Sequence, residues 1–162
     1  MTANDMIVGG YRMAKGLLHR FTDDLTPGEF RHQPVAGANS AAWVVGHLAL
    51  TLWRTAERLK AADLPTLPVG LAEKFAQTGK PASDQPELGD PTELLKLFNT
   101  CVDRVIEAVK SLPAETLAGP TASRIGLASN QAEGLLFGSL HITTHVGQLS
   151  TIRRSLGKPP VV

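Results

Sequence analysis

The chain has 162 residues, 43% of them apolar and 19% charged, which suits one domain spanning 1–162 around one ordinary hydrophobic core. Sixteen basic and fifteen acidic side chains leave a formal charge of +1, too balanced to neutralise a run of phosphates or to hold an anionic membrane surface, so neither nucleic acid nor a membrane is expected as a partner. No basic segment leads into a long apolar run, no stretch of about 18 apolar residues occurs, and a single cysteine permits no internal disulfide; a soluble protein of the reducing cytoplasm is expected.

Ile7, Tyr11, Ala14, Leu17, Leu18 and Phe21 recur at helical intervals and predict a first helix over about 4–24, stopped by Pro27-Gly28. Asn39-Ser40 can cap a second helix that carries Trp43, Val44, His47, Leu48, Leu50 and Leu52 and runs to about Ala61. Residues 64–89 hold too much proline and glycine for regular structure beyond a short turn around Leu71 to Ala76; a loop of that length often forms the lid or wall of a site. Asp90-Pro91-Thr92-Glu93 then reads as cap, first-turn proline and third-position acid, opening a third helix to about Ser111. Cys101 falls on its helical spacing with no histidine within a turn, the pattern of an inert core thiol.

Residues 112–129 read as coil, with the alternation of Ala122, Arg124, Gly126 and Ala128 suggesting an extended connector. From Asn130 to Leu156 the positions Leu135, Leu136, Leu140, Ile142, Val146, Leu149, Ile152 and Leu156 predict a long fourth helix, stopped by Gly157 and Pro159. Four amphipathic helices and no plausible strand pair predict an all-α four-helix bundle with connections of unequal length.

His141 and His145 stand four apart in LHITTHVGQL, so both imidazoles lie on one helical face, one turn apart. That spacing is weak by itself, since five histidines at random give roughly 0.15 such pairs by chance. His47, with Trp43 one turn before it, shares the apolar face of the second helix, so three imidazoles point toward one core. Two readings are open. Each imidazole can be satisfied by a nearby carbonyl or lie at a wet end of the bundle; or one divalent ion can satisfy all three, with positions left for water or substrate because no fourth protein ligand is evident.

Other candidates carry plainer alternatives. Gln148, three residues after His145, either supports the site from behind or satisfies a helix contact. Trp43 and Trp53 follow the core stripe. Arg54 is expected in a surface salt bridge, with an anionic substrate group as its alternative partner, and His19 and His32 are expected at the surface or its edge. Arg153, Arg154 and Lys158 complement the dipole at the end of the fourth helix.

The blocks NSAAWVVGHLA and HITTHVGQLSTIRRSLG resemble the second- and fourth-helix histidine motifs of the DinB/YfiT-like helical-bundle proteins, and the resemblance covers nearly the whole chain, including an aromatic-then-glycine pattern at Phe75 and Gly79. It implies an up-up-down-down bundle in which His47, His141 and His145 bind nickel, zinc or a similar ion such as manganese or iron, usually within a homodimer. Relatives include thiol-dependent S-transferases and a mycothiol-dependent maleylpyruvate isomerase, while many members have no assigned reaction. The expected function is a metal-dependent transferase or hydrolase that activates a small thiol or water against an electrophilic small molecule. The alternative is a non-catalytic dimeric bundle, a binding or stress-response module whose metal site is structural or vacant.

Overall fold

A computed structural model describes residues 1–76, 88–121 and 126–161. All regular structure among them is helical: α1 (Ala3–Thr22), α2 (Pro27–Phe30), α3 (Ala41–Arg58), α4 (Leu71–Phe75), α5 (Pro91–Lys110), α6 (Ala114–Ala118) and α7 (Gln131–Ser155). The four long helices begin where the sequence supplies an oxygen for otherwise unpaired first-turn amides. Thr2, Ser40, Asp90 and Asn130 accept from the backbone N–H of Asp5, Trp43, Thr92 and Glu133 respectively. Two short helices were not expected. Thr26 closes a capping box on Glu29 and starts α2 where the proline and glycine suggested only a stop; Pro113, at the N-cap of α6, starts a turn inside the segment expected as coil.

Side-chain contacts set the helix directions. Asn4 donates to the Val109 and Leu112 carbonyls, Lys15 pairs with Asp103, and His19 meets Asn99, so α1 and α5 are antiparallel. Gly10 abuts Ser139, and Arg153 donates to the Phe21 carbonyl, so α1 and α7 are parallel. Asn39 bonds Gln148, and the rings of Trp43 and His47 meet those of His145 and His141, so α3 opposes α7. The order is therefore up-down-down-up, which corrects the up-up-down-down arrangement. The physical reason lies in the connections: residues 23–40 turn at one end of the molecule, held there by the His32–Ser155 bond, while α3 and α5 run parallel and residues 59–76 lead back along α3. Trp53 donating to the Pro65 carbonyl and His47 bonding the Phe75 carbonyl mark that return path.

The core runs through all four long helices, with Leu18, Val44, Leu48, Phe98, Val102, Leu149 and Ile152 almost fully buried. Cys101 is completely buried, and burial raises its thiol to about 12, which fits an inert core residue. Leu136 and Leu140, expected to face inward, are 41% and 53% exposed because α7 turns Ser139 and His145 into the interior instead. Arg153 also departs from its expected dipole role: it is only 4% exposed and pairs with Asp24. No helix among the described residues is long and apolar enough to cross a membrane. Ala122, Arg124 and Gly79 lie outside the described residues.

Candidate metal centre

Two helices bring the three histidines together. His47 projects from the middle of α3, which its ladder of Ala, Val and Leu side chains buries on nearly every side; His141 and His145 project from one face of α7. His47 and His145 are 4% and 8% exposed and His141 is half-buried. Ring centroids lie 5.3 Å apart for His47 and His141, 5.0 Å for His47 and His145, and 4.7 Å for His141 and His145. One ligating nitrogen from each lies within 4.8 Å of the others.

Hydrogen bonds on the outer edges fix which nitrogen faces inward. Nδ1–H of His47 donates to the Phe75 carbonyl at 2.9 Å, so its Nε2 keeps a lone pair. Nδ1 of His145 meets Gln148 Oε1 at 3.2 Å, and the same oxygen accepts from Asn39 Nδ2 at 3.2 Å. An oxygen that already accepts from an amide assigns the proton to His145 Nδ1, which turns its Nε2 inward as an acceptor. That Nε2 stands 3.1 Å from His141 Nε2. Without an ion, an N–H of His141 can fill this gap. With metal–nitrogen bonds of about 2.05 Å, a 3.1 Å separation subtends roughly 98° at an ion, between square and tetrahedral. The three-nitrogen donor set and its spacing can therefore hold a divalent ion.

Electrostatics favour the neutral ligands that such an ion needs. Burial first, then the neighbouring imidazoles, pushes His141 down to about 4. Burial likewise holds His47 and His145 below the usual histidine value, partly offset by the bonds to Phe75 and Gln148.

Close packing makes these contacts possible. Trp43 stacks on His47 with ring centroids 4.8 Å apart and planes 7° from parallel, so it serves both core and site. A Cβ at Gly46 would come within 2.3 Å of the Phe75 ring; glycine there lets the returning chain approach α3 closely enough for the Phe75 carbonyl to reach His47. At Gly138 a Cβ would lie 2.1 Å from the Tyr11 hydroxyl, which α1 presses against α7 three residues before His141.

The cluster borders a cleft of about 340 Å3 lined by His47, His141, Tyr11, Arg54, Arg58 and other residues of α3 and α7. Sequence reasoning found all three histidines and Gln148. It read Asn39 only as a helix cap and Tyr11 only as core, and it gave no role to the Phe75 carbonyl; the glycines beside His47 and before His141 were the available signals of close approach. Arg54 forms no ion pair among the described residues, contrary to the expected surface salt bridge. His19 is half-buried and sits between Asp23 and Asn99, and His32 meets Ser155, both away from the cluster.

No curated protein matches the sequence. Among solved structures the chain is similar to a conserved protein from Enterococcus faecalis, with a TM-score of 0.70 and 19% sequence identity over 98% of this chain and 99% of that one, a likeness of fold alone. The sequence matches the DinB superfamily over residues 11–149, from Tyr11 on α1 through both histidine-bearing helices to Leu149. The chain therefore belongs to the DinB superfamily.

Proposed function

We propose that this protein is a metal-dependent enzyme in which His47, His141 and His145 hold one divalent ion, and in which a small thiol or water is activated against an electrophilic small molecule. One observation carries the reading: three imidazoles, two buried and one half-buried, two of them oriented from behind by Phe75 and Gln148, direct nitrogens toward one point beside an open cleft. An ion held there would lower the pKa of a thiol or water bound to it and so supply a nucleophile at neutral pH. Imidazole nitrogen suits zinc and nickel, and less strongly manganese or iron.

The chain's own residues do the remaining work. The Phe75 carbonyl and the Asn39–Gln148 pair hold His47 and His145 in the ligating tautomer. Trp43 covers one side of His47 and keeps water from it. The cleft leaves His47 and His141 approachable from one direction. In this reading the protein is cytoplasmic and pairs with a second copy; Met6, Met13, Leu136 and Leu140, exposed on α1 and α7, support such pairing.

The test is elemental analysis of the purified protein beside His141→Ala, followed by turnover assays with several cellular thiols, or none, and a model electrophile. The reading expects about one ion per wild-type chain and metal-dependent turnover. Equal metal content in both proteins would sink it, as would the absence of metal-dependent turnover under every condition.

A further inference from the structure

Beyond His47, the stripe of α3 that faces α7 continues through Thr51, Arg54, Thr55 and Arg58, steps of four, seven, eight and eleven residues that stay on one face at 3.6 residues per turn. These residues line the same cleft of about 340 Å3, a size suited to a small molecule. Its described lining contains two guanidinium groups and no carboxylate. Among the described residues neither arginine has an acidic partner. Arg58 Nη2 donates to Thr55 Oγ1 at 3.0 Å, which leans its head back along the helix toward His47. The Thr51 and Thr55 hydroxyls donate to carbonyls of their own helix. Apart from the two histidines, the remaining ionisable group of the lining, Tyr11, is buried, and burial pushes its phenol well above the usual tyrosine value, so it adds no negative charge at neutral pH.

Two exposed guanidinium groups without counter-ions among the described residues, beside a described lining without acids, form a field that attracts an anion. Helical side chains tilt toward the helix N-terminus, and for α3 that direction is toward His47. Arg54 lies about 10 Å along the axis from His47 and Arg58 about 16 Å, so heads that lean back bring their donors within small-molecule reach of the histidines. A planar guanidinium offers paired N–H donors that match a carboxylate.

We propose that the cleft binds its small-molecule substrate through a carboxylate held by Arg54 and Arg58, so that the other end of the molecule faces the histidine cluster. The assignment of that other end as the reacting end rests on the metal-enzyme reading; the arginine site does not. It deepens that reading by naming the substrate class: a carboxylic acid on the order of 5–10 Å long.

The test uses a matched pair of probes, 4-phenylbutyrate and its neutral amide 4-phenylbutyramide, titrated by calorimetry at fixed ionic strength. Wild type, the Arg54→Gln/Arg58→Gln double variant and His141→Ala are compared, with circular dichroism checking that each is folded. Wild type is expected to bind the carboxylate at least about tenfold tighter than the amide, and the double variant to bind the two alike. His141→Ala should keep the preference. The proposal is overturned if wild type binds the two alike or binds neither, or if the double variant retains the preference. Loss of the preference in His141→Ala alone also overturns it, because the anion would then sit at the histidines. If wild type proves metal-free yet prefers the carboxylate through the two arginines, the arginine site stands and the metal-enzyme reading fails.

Discussion

Two buried polar clusters lie along α7, about 12 Å apart on its axis, and they resolve the same problem in opposite ways. At the C-terminal end, Arg153 is 4% exposed, and its two terminal nitrogens are taken by Asp24 and the Phe21 carbonyl, with Lys158 adding bonds to Asp24 and Glu29. Apart from Arg153 Nε, which is buried without a hydrogen-bond partner among the described residues, that cluster is closed on itself and ties α7 to the turn after α1. Nearer the middle, the outer edges of His47 and His145 are bonded while their inner edges converge on His141 beside a cleft. Buried polarity matched within the chain is scaffolding. Buried polarity aimed at a common point is preparation for something from outside.

The sharpest way to break this contrast is to remove one member of each cluster. His141→Ala is expected to lower metal content from about one ion per chain to under a tenth while changing metal-free stability by less than about 1 kcal/mol. Elemental analysis and urea unfolding after chelation measure the two quantities. Arg153→Ala should do the reverse, costing about 3 kcal/mol by loss of buried packing and hydrogen bonds, with metal content preserved in the folded fraction. If the two variants behave alike, the division between scaffold and site is wrong.

Gly46→Ala joins packing to site geometry. Its methyl would displace the Phe75 ring, costing about 2 kcal/mol and shifting the carbonyl that holds His47, so metal affinity should fall as well. A stable variant with unchanged affinity would show that Phe75 does not orient the ligand. Gln148→Ala, at an exposed position, is expected to weaken metal binding about tenfold with almost no change in unfolding midpoint; unchanged affinity would remove its supporting role.

Acid separates the clusters more gently. Because burial lowers the pKa of all three histidines, the unfolded chain takes up protons first, below about 6.5, so metal-free stability is full above that pH and falls toward about 4, where His141 titrates. Asp24 is held below its usual value of 3.8, chiefly by its hydrogen bond from Arg153, so the stability its pairing with Arg153 contributes is lost only as pH drops below that value. Urea midpoints that stay flat between pH 6.5 and 4 in the chelated protein would contradict the first half of this prediction.

The helices and the three ligand candidates were legible because helical spacing and capping are local. Ser40, Asp90 and Asn130 mark starts within about two residues of those observed. Direction was not legible, because periodicity shows which face is apolar and not which way a helix runs; it was decided by contacts such as Gly10 with Ser139 and Asn4 with Val109. The inward turn of Ser139 and the exposure of Leu140 were lost for a related reason. On α7 the buried stripe is partly polar, so hydrophobicity pointed to the wrong face. Phe75 acts through a backbone carbonyl, which no side-chain pattern encodes.

The division of the cluster between α3 and α7 also bears on how the protein is made. His47 and His141 are 94 positions apart, so at about 5–20 residues per second a ribosome adds the second roughly 5–20 s after the first. During that interval His47 alone offers an ion a single weak ligand. In the metal-enzyme reading, metal capture is thereby deferred until α7 docks, and a truncated or misdocked chain has no matched site with which to sequester a scarce ion.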